Sequence, residues 1–565
     1  YELQAVPTLG VDDIRKMIPF ITIGEKASRF NVPIPEMLLK GQNTVFVKWE
    51  TLAEEQVGYS EERKISGSSY YLGDRYKLFL RYRHQYSNKL SYGFTAEKDP
   101  GEEFFQGSNK KTGFDFYSFH AFLKNYSPRL KAIALGDYAI SLGQGLITNY
   151  GFGYGKSSFA TLIKKGGPVL LPYTSTLENN FFRGIAATVQ LSKRFECTAF
   201  ASHRNVDANL GEPDSLIDYD FGFTSLQASG FHRTQAEIDD KNAIKSTDAG
   251  LNLKYNYHNL SISLNGLYTE FNRVYIPQKR LDNLFAFSGK SLSNISFDYA
   301  YIYRNFYFFG ETARSDNGAI ATVNGVLITL DRRVDLALFH RYLPVAYQSL
   351  NPRVFAEGST GSNEKGFYLG AKFYPARGWT IDAYFDVWKN PWLRFNVASP
   401  SVGREYLTKI QYSIKRKFDI YIQYKNETKA QNISESELLK KVGDQNKQQV
   451  RVHLAHKLNK HLELRNRFEW VFYRDASGQK SNGFMVFQDV LYKPIQIPVS
   501  FTARLAYFDT KDYSSRIYAF ENDLLYSFSI PPYYYKGARW YLNVRSKIAR
   551  NIMLEAGIAQ TILAN

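Results

Sequence analysis

Residues 75–97 read RYKLFLRYRHQY-SNK-LSYGFTAE, two alternating stretches joined by a three-residue turn. On an extended strand successive side chains point to opposite faces. Tyr76, Leu78, Leu80 and Tyr82 therefore share one face, and Lys77, Phe79, Arg81 and Arg83 the other. Beyond Ser87-Asn88-Lys89, the apolar face resumes with Leu90, Tyr92, Phe94 and Ala96, opposite Ser91, Gly93, Thr95 and Glu97. The result is a hairpin with an oily side and a wet side. The same unit recurs along the chain. Ile381, Ala383, Phe385 and Val387 oppose Asp382, Tyr384, Asp386 and Trp388, and Phe418, Ile420, Ile422 and Tyr424 oppose Asp419, Tyr421, Gln423 and Lys425.

A long series of such hairpins is the pattern of a transmembrane β-barrel, apolar outside and polar within. Composition agrees: aromatics make up 16% of the 565 residues, with 42 Tyr and 42 Phe, enough for girdles at both edges of an apolar band. A mean hydropathy of −0.37 conflicts with membrane insertion only if the spans are helices, and no run of about 18 apolar residues is present. The single Cys197 excludes a disulfide framework or a multi-cysteine metal site. A soluble sandwich of this length would divide into domains of about 100–200 residues joined by linkers, and a propeller would repeat a motif every 40–50 residues or so. Neither linker nor repeat interrupts the array.

Strand starts fall near residues 44, 75, 89, 114, 129, 180, 195, 246, 259, 293, 306, 319, 334, 366, 380, 404, 418, 448, 461, 483, 499, 539 and 550, with an ambiguous aromatic stretch at 516–530. The expected fold is all-β: one large antiparallel transmembrane barrel of about 24 strands, within 22–26. Barrels of this class have even counts, so the outgoing strand Met553 to Gln560 leads to the expectation of at least one further strand past Asn565. Tight connections at Asn88, Ser127-Pro128, Lys193-Arg194, His258-Asn259, Asp331-Arg332, Ala376-Arg377-Gly378, Lys415-Arg416-Lys417 and Asn459-Lys460 are assigned to one side, the periplasm. Long loops at about 143–179, 205–246, 344–365 and 430–447 face outward. So wide a barrel is usually plugged. The first two long loops, with Gly151, Gly153, Gly155, Lys156, His232 and Arg233, are the candidates to fold inward.

The front of the chain differs. Leu3, Val6 and Pro7 precede the turn Thr8-Leu9-Gly10, and Val11, Ile14, Met17 and Ile18 follow at helical spacing, with Asp12 and Asp13 where a helix dipole favours acids. Leu3 to Ile18 resembles the second half of a helix-hairpin-helix DNA-binding motif, in which a Gly-rich turn offers backbone amides to phosphate. Thr8, Leu9, Gly10, Arg15 and Lys16 are the candidate phosphate or DNA contacts. Thr8 stands where the motif's first glycine is usual, and its Cβ hinders close approach to a backbone. Residues 1–30 are thus read as the C-terminal part of a periplasmic helix-hairpin-helix domain, 31–43 as a linker and 44–565 as the barrel. An export signal upstream of Tyr1 is inferred.

Together these features resemble the large outer-membrane proteins of Bacteroidota that carry helix-hairpin-helix domains related to the competence protein ComEA. The matching residues are Glu2-Leu3-Gln4-Ala5-Val6-Pro7 with Ile18-Pro19-Phe20-Ile21, Leu135-Gly136-Asp137-Tyr138 through Gly143-Gln144-Gly145-Leu146, and Gly151-Phe152-Gly153-Tyr154-Gly155-Lys156. Gly230-Phe231-His232-Arg233-Thr234 with Glu237, and Gly310-Glu311 with Ala313, match as well. The resemblance implies a Gram-negative outer-membrane barrel with a periplasmic N-terminus and extracellular long loops. It assigns no activity.

Several motifs carry no chemistry. Gly155-Lys156-Ser157 has the end of a phosphate-binding loop, but Tyr150 occupies the place of its first glycine. His453 and His456 sit three apart on a strand and face opposite sides. No catalytic constellation, metal site or cofactor is read here. Charge is the remaining handle: 71 Lys and Arg exceed 54 Asp and Glu, for a net +17. Lys77, Arg81, Arg83, Lys409, Arg451, Lys457, Arg465 and Arg467 lie on wet faces and would give a basic lumen that favours anions. Equally, such charges pair across strands, as Glu463 and Glu469 could do, or basic rims bind lipopolysaccharide phosphates. Three expectations follow: a conduit for an anionic substrate such as DNA, an accessory or scaffold barrel of an outer-membrane secretion or assembly complex, and a surface receptor or adhesin.

Overall fold

The computed structural model describes residues 32–151, 155–211, 222–433 and 440–564. The front hairpin with Thr8, Leu9, Gly10, Arg15 and Lys16 lies outside the described residues, as does Gly153. Among the described residues there are 28 strands, 23 of them nine residues or longer and five of two to four residues. Twenty-six form one sheet. The long strands run antiparallel in chain order from Gln42–Thr51 to Ile552–Leu563, each bonded to the strands before and after it. All 23 starts read from the sequence fall within six residues of an observed long strand. Alternation locates a strand well because a one-residue slip would move its whole apolar set to the wrong face.

The register confirms the two faces. Trp49, Val47 and Val45 lie opposite Leu78, Leu80 and Tyr82, and Val45 and Trp49 are 66% and 62% exposed. On Trp379–Asn390 the outward Phe385 is exposed, whereas Asp382, Tyr384, Asp386 and Trp388 are buried on the other face. The exposed side is apolar and the charged side is enclosed, the inverse of a soluble domain and the expected inversion for a wall facing lipid. The tight turns all fall on one rim, the short-turn rim, and the loops 141–181, 207–243, 344–363 and 433–441 on the other, the long-loop rim. Two connections on the long-loop rim, at 316–319 and 475–479, are also short, so strand alternation rather than loop length assigns the side.

Within the segment read as a linker, Ile34–Leu39 is a short helix with Met37 fully buried, and the first strand starts at Gln42. The ambiguous stretch at 516–530 is not a wall strand. Ile517–Tyr518 pairs with Pro532–Tyr533 in a separate two-stranded ribbon. Ile517, Ala519 and Tyr533 bury themselves against Val471, Met485, Phe487, Ala506 and Phe508 of the inner wall.

The segment 511–535 also spans the seam. Among the described residues, Gln42–Thr51 pairs only with Tyr76–Tyr86, and Ile552–Leu563 only with Lys536–Ala549. The Leu525 amide donates to Glu555 Oε2 (2.9 Å) on the last strand, and Lys48 Nζ on the first strand donates to Ser527 Oγ (2.7 Å). Phe46 meets the Tyr526 ring edge-on at 5.1 Å. The strap thus touches both edges of the sheet.

Candidate functional site

Loop 141–181 folds inward across the barrel. Its apolar residues Leu142, Leu146, Ile147, Ala160 and Ile163 are fully or almost fully buried and pack against Phe309, Val323, Phe339, Tyr368 and Tyr384 of the inner wall. An inward loop has backbone groups to satisfy, and the wall supplies the partners. Glu311 Oε2 accepts from the amides of Gln144 (2.6 Å) and Leu146 (3.1 Å). Asp382 Oδ1 accepts from the Ala160 amide (3.3 Å), while the Tyr368 hydroxyl donates to the Ala160 carbonyl (2.8 Å). The neighbouring loop 344–363 joins in, as the Tyr347 hydroxyl donates to Leu146 O (3.1 Å) and the Arg353 amide to Gly145 O (2.8 Å). Gly370 makes room for the loop tip: a Cβ there would lie 2.1 Å from the Ala160 carbonyl oxygen.

Lys156 holds the loop by charge. Its Nζ lies 2.7 Å from Glu357, 3.1 Å from Asp386 and 3.2 Å from Glu405, over the Trp388 ring at 4.1 Å. Arg341 bonds both Glu364 and Asp386, and Lys425 and Lys429 face Glu405, Glu427 and Glu357. Burial works against the Lys156 charge, but the three carboxylates outweigh it and push its pKa up. Glu357 is likewise penalised by burial, yet Lys156 and Lys429 hold it down at about 2. Of the candidate plug residues, Gly151, Gly155 and Lys156 lie on this inward loop. The lysine serves as an internal latch within a cage of acids, an environment unsuited to phosphate.

His232 and Arg233 are placed elsewhere, in a network of rim loops. His232 is 2% exposed; its Nδ1 faces Asp115 Oδ2 (2.6 Å), its Nε2 faces Asp207 Oδ2 (3.1 Å), and its amide donates to Glu102 Oε1 (3.0 Å). Lys241 Nζ bonds the other Asp115 oxygen at 2.7 Å. Arg233 pairs with Glu237, its carbonyl accepts from the Leu72 amide, and its guanidinium lies over the Tyr71 and Phe231 rings. The second long loop therefore folds onto its neighbours at the rim, because the carboxylates and rings that match it stand there. Burial would lower the His232 pKa, but its bonds to Asp115 and Asp207 carry it up to about 10. Burial, aided by repulsion from Asp115, raises Glu178 to about 9 and Glu102 to about 7.

The predicted basic residues separate into two sets. Lys77 bonds Glu97 and Asp99, Arg451 forms a fork with Glu469 (2.7 and 2.9 Å), and Lys457 and Arg465 share Glu463. Arg81, Arg83, Lys409 and Arg467 have no ion pair among the described residues. Arg81 donates to Thr95 Oγ1 and the Thr174 carbonyl, Arg83 donates to Ser91 Oγ, and Lys409 lies over the Phe159 and Tyr421 rings. Sequence reading passed over Arg504, paired with Asp489 and stacked on Phe487 at 3.6 Å. Its alternation on Val499–Thr510 was the available signal.

Ligand atoms of Glu102, Asp115 and His232, of Glu178, Asp207 and His232, and of Glu357, Glu405 and Glu427 come within 4.8 Å of one another in each group. The His232 imidazole already bridges Asp115 of the first group and Asp207 of the second, and in the third the Lys156, Lys425 and Lys429 ammoniums fill the cation's place.

No family model matches the chain, and no curated protein matches it. Among solved structures, it resembles a mutant of the ferric enterobactin receptor of Pseudomonas aeruginosa at 9% identity and TM-score 0.42, over 91% of this chain and 74% of that one. A BenF-like porin from Pseudomonas fluorescens Pf-5 aligns at 9% identity and TM-score 0.32, over 86% and 98%. OmpT, an outer membrane protein of Vibrio cholerae, aligns at 10% identity and TM-score 0.30, over 67% and 98%. Likenesses of this degree carry no argument about what the chain binds.

Proposed function

We propose that this chain is an outer-membrane barrel that conducts or holds an anionic solute, with its lumen narrowed by the loop at 141–181. The supporting observation is the set of inward cations Arg81, Arg83, Lys409 and Arg467, which form no ion pair among the described residues. Inside a low-dielectric wall, such a charge favours anions in passage. The N-terminus would be periplasmic and the long loops extracellular, in contact with lipopolysaccharide. DNA is the finer form of this reading and depends on Thr8, Leu9, Gly10, Arg15 and Lys16 of the front hairpin. No catalysis is proposed.

Reconstitution in planar bilayers under a salt gradient tests the proposal. Wild type is expected to give a small, anion-selective conductance that grows when residues 144–168 are replaced by a short Gly-Ser linker. Cation selectivity in the loop-replaced variant, or silence in both forms, would overturn it. The protein-like packing of the loop against the wall favours one second reading, an accessory barrel of a secretion or assembly complex. Purification from native membrane in mild detergent distinguishes the two, since a scaffold would bring stoichiometric partners with it.

A further inference from the structure

Between the strands Val442–Lys457, Leu462–Arg474, Lys480–Tyr492 and Val499–Thr510, the inner face carries a cavity of about 290 Å³. The register builds it in two rows. His453, Arg467 and Phe487 stand side by side in one, and Ala455, Arg465, Asp489 and Arg504 in the next. Phe520 and Asn522 of the strap close it from the lumen side, and the Phe520 carbonyl is held by Arg504 Nη1 at 2.8 Å. The cavity sits near mid-strand, with Arg467 sixth of 13 residues and Arg504 sixth of 12 on their strands, and the strap reaches it from the long-loop rim.

Its charges do not balance internally. Glu469 is taken by Arg451, Glu463 by Arg465 and Lys457, and Asp489 by Arg504. Arg467 is left over. Its Nε and the Nδ1 of His453 are buried without a hydrogen-bond partner among the described residues, a costly state for polar groups. Phe487 lies between the Arg467 and Arg504 guanidiniums, at 5.2 and 3.6 Å from its ring centre, and so orients both. A planar guanidinium fixed in this way, with no ion-pair partner among the described residues, is suited to bidentate recognition of phosphate or carboxylate. The volume falls near the lower limit of small-molecule pockets, about 300 Å³.

We propose that this cavity is a binding site for a compact oxyanion, a phosphate or carboxylate group of a small solute, with Arg467 as the principal donor and His453 beside it. The proposal rests on the conduit reading only in taking the solute to be one that enters the lumen. Calorimetry on the full chain in detergent, with inorganic phosphate and with succinate as probes, tests it. At least one probe is expected to bind wild type and the exposed control Arg194→Gln equally. Arg467→Gln should weaken binding about tenfold or more, the size of a lost charged hydrogen bond. His453→Gln leaves every ion pair intact and is expected to weaken binding several-fold, so the proposal stays testable if Arg467→Gln fails to fold. Preference between the probes identifies the anion class. No binding of either probe, or undiminished binding in both variants, overturns the site. Bilayer recordings separate the two ideas: anion-selective current without oxyanion binding removes the site and keeps the conduit, and binding without current does the reverse.

Discussion

At the scale of the residue, the inward loop depends on a few single contacts. Lys156 is 7% exposed and compensates three acids, and removing one partner of a buried pair costs about 3–5 kcal/mol. Lys156→Met is therefore expected to loosen residues 155–165, read as faster amide exchange there with the wall strands unchanged. Gly370→Val should act at the same place by steric means, since its Cβ would meet the Ala160 carbonyl. The rim is expected to respond to pH. His232 is raised from 6.5 to about 10 and Glu178 from 4.5 to about 9, so both hold protons more tightly when folded. Their contribution is greatest below the unfolded values and fades as pH rises through the folded ones. Exchange in 229–243, corrected for intrinsic rate, should accelerate between about pH 7 and about pH 10, and His232→Gln should remove much of that rise. Lys156 and His232 were both visible in the sequence. Their partners were not, because Glu357, Asp386, Glu405, Asp115 and Asp207 lie far from them along the chain.

At the scale of the element, strands were legible and inward loops only partly so. Alternation reports a strand's two environments directly, and each hairpin neighbour is set by the chain itself. A loop carries no such period: the Gly-rich composition of 141–181 suits an exposed loop as well as a packed one. Its buried Leu142, Leu146, Ile147 and Ile163 are the trace of packing in retrospect. Leu146→Ala should cost about 2–5 kcal/mol of loop docking, seen as a larger and noisier conductance than wild type without loss of the folded barrel. The strap was ambiguous for the opposite reason. Its aromatics imitate a girdle strand, yet Ile517, Ala519 and Tyr533 face the inner wall.

At the scale of the whole molecule, the strap at 511–535 connects the first and last strands. Lys48→Cys with Ser527→Cys, in a Cys197→Ser background, is expected to cross-link with a short bis-maleimide and shift the mobility of the denatured chain. Absence of a cross-link would place the strap elsewhere. The division between what was legible and what was not has one physical cause. The sequence by itself determined the wall: its strands, their order, which face meets lipid and which turns share a rim. Those properties are local, written in a period of two and in nearest-neighbour pairing. Only the tertiary structure decided which loop fills the lumen and which inward cations, like Arg467, form no ion pair among the described residues. The loop contacts join residues as far apart as Leu146 and Tyr347 or Lys156 and Glu357, and they exist only once the wall has curved enough to bring its two sides together.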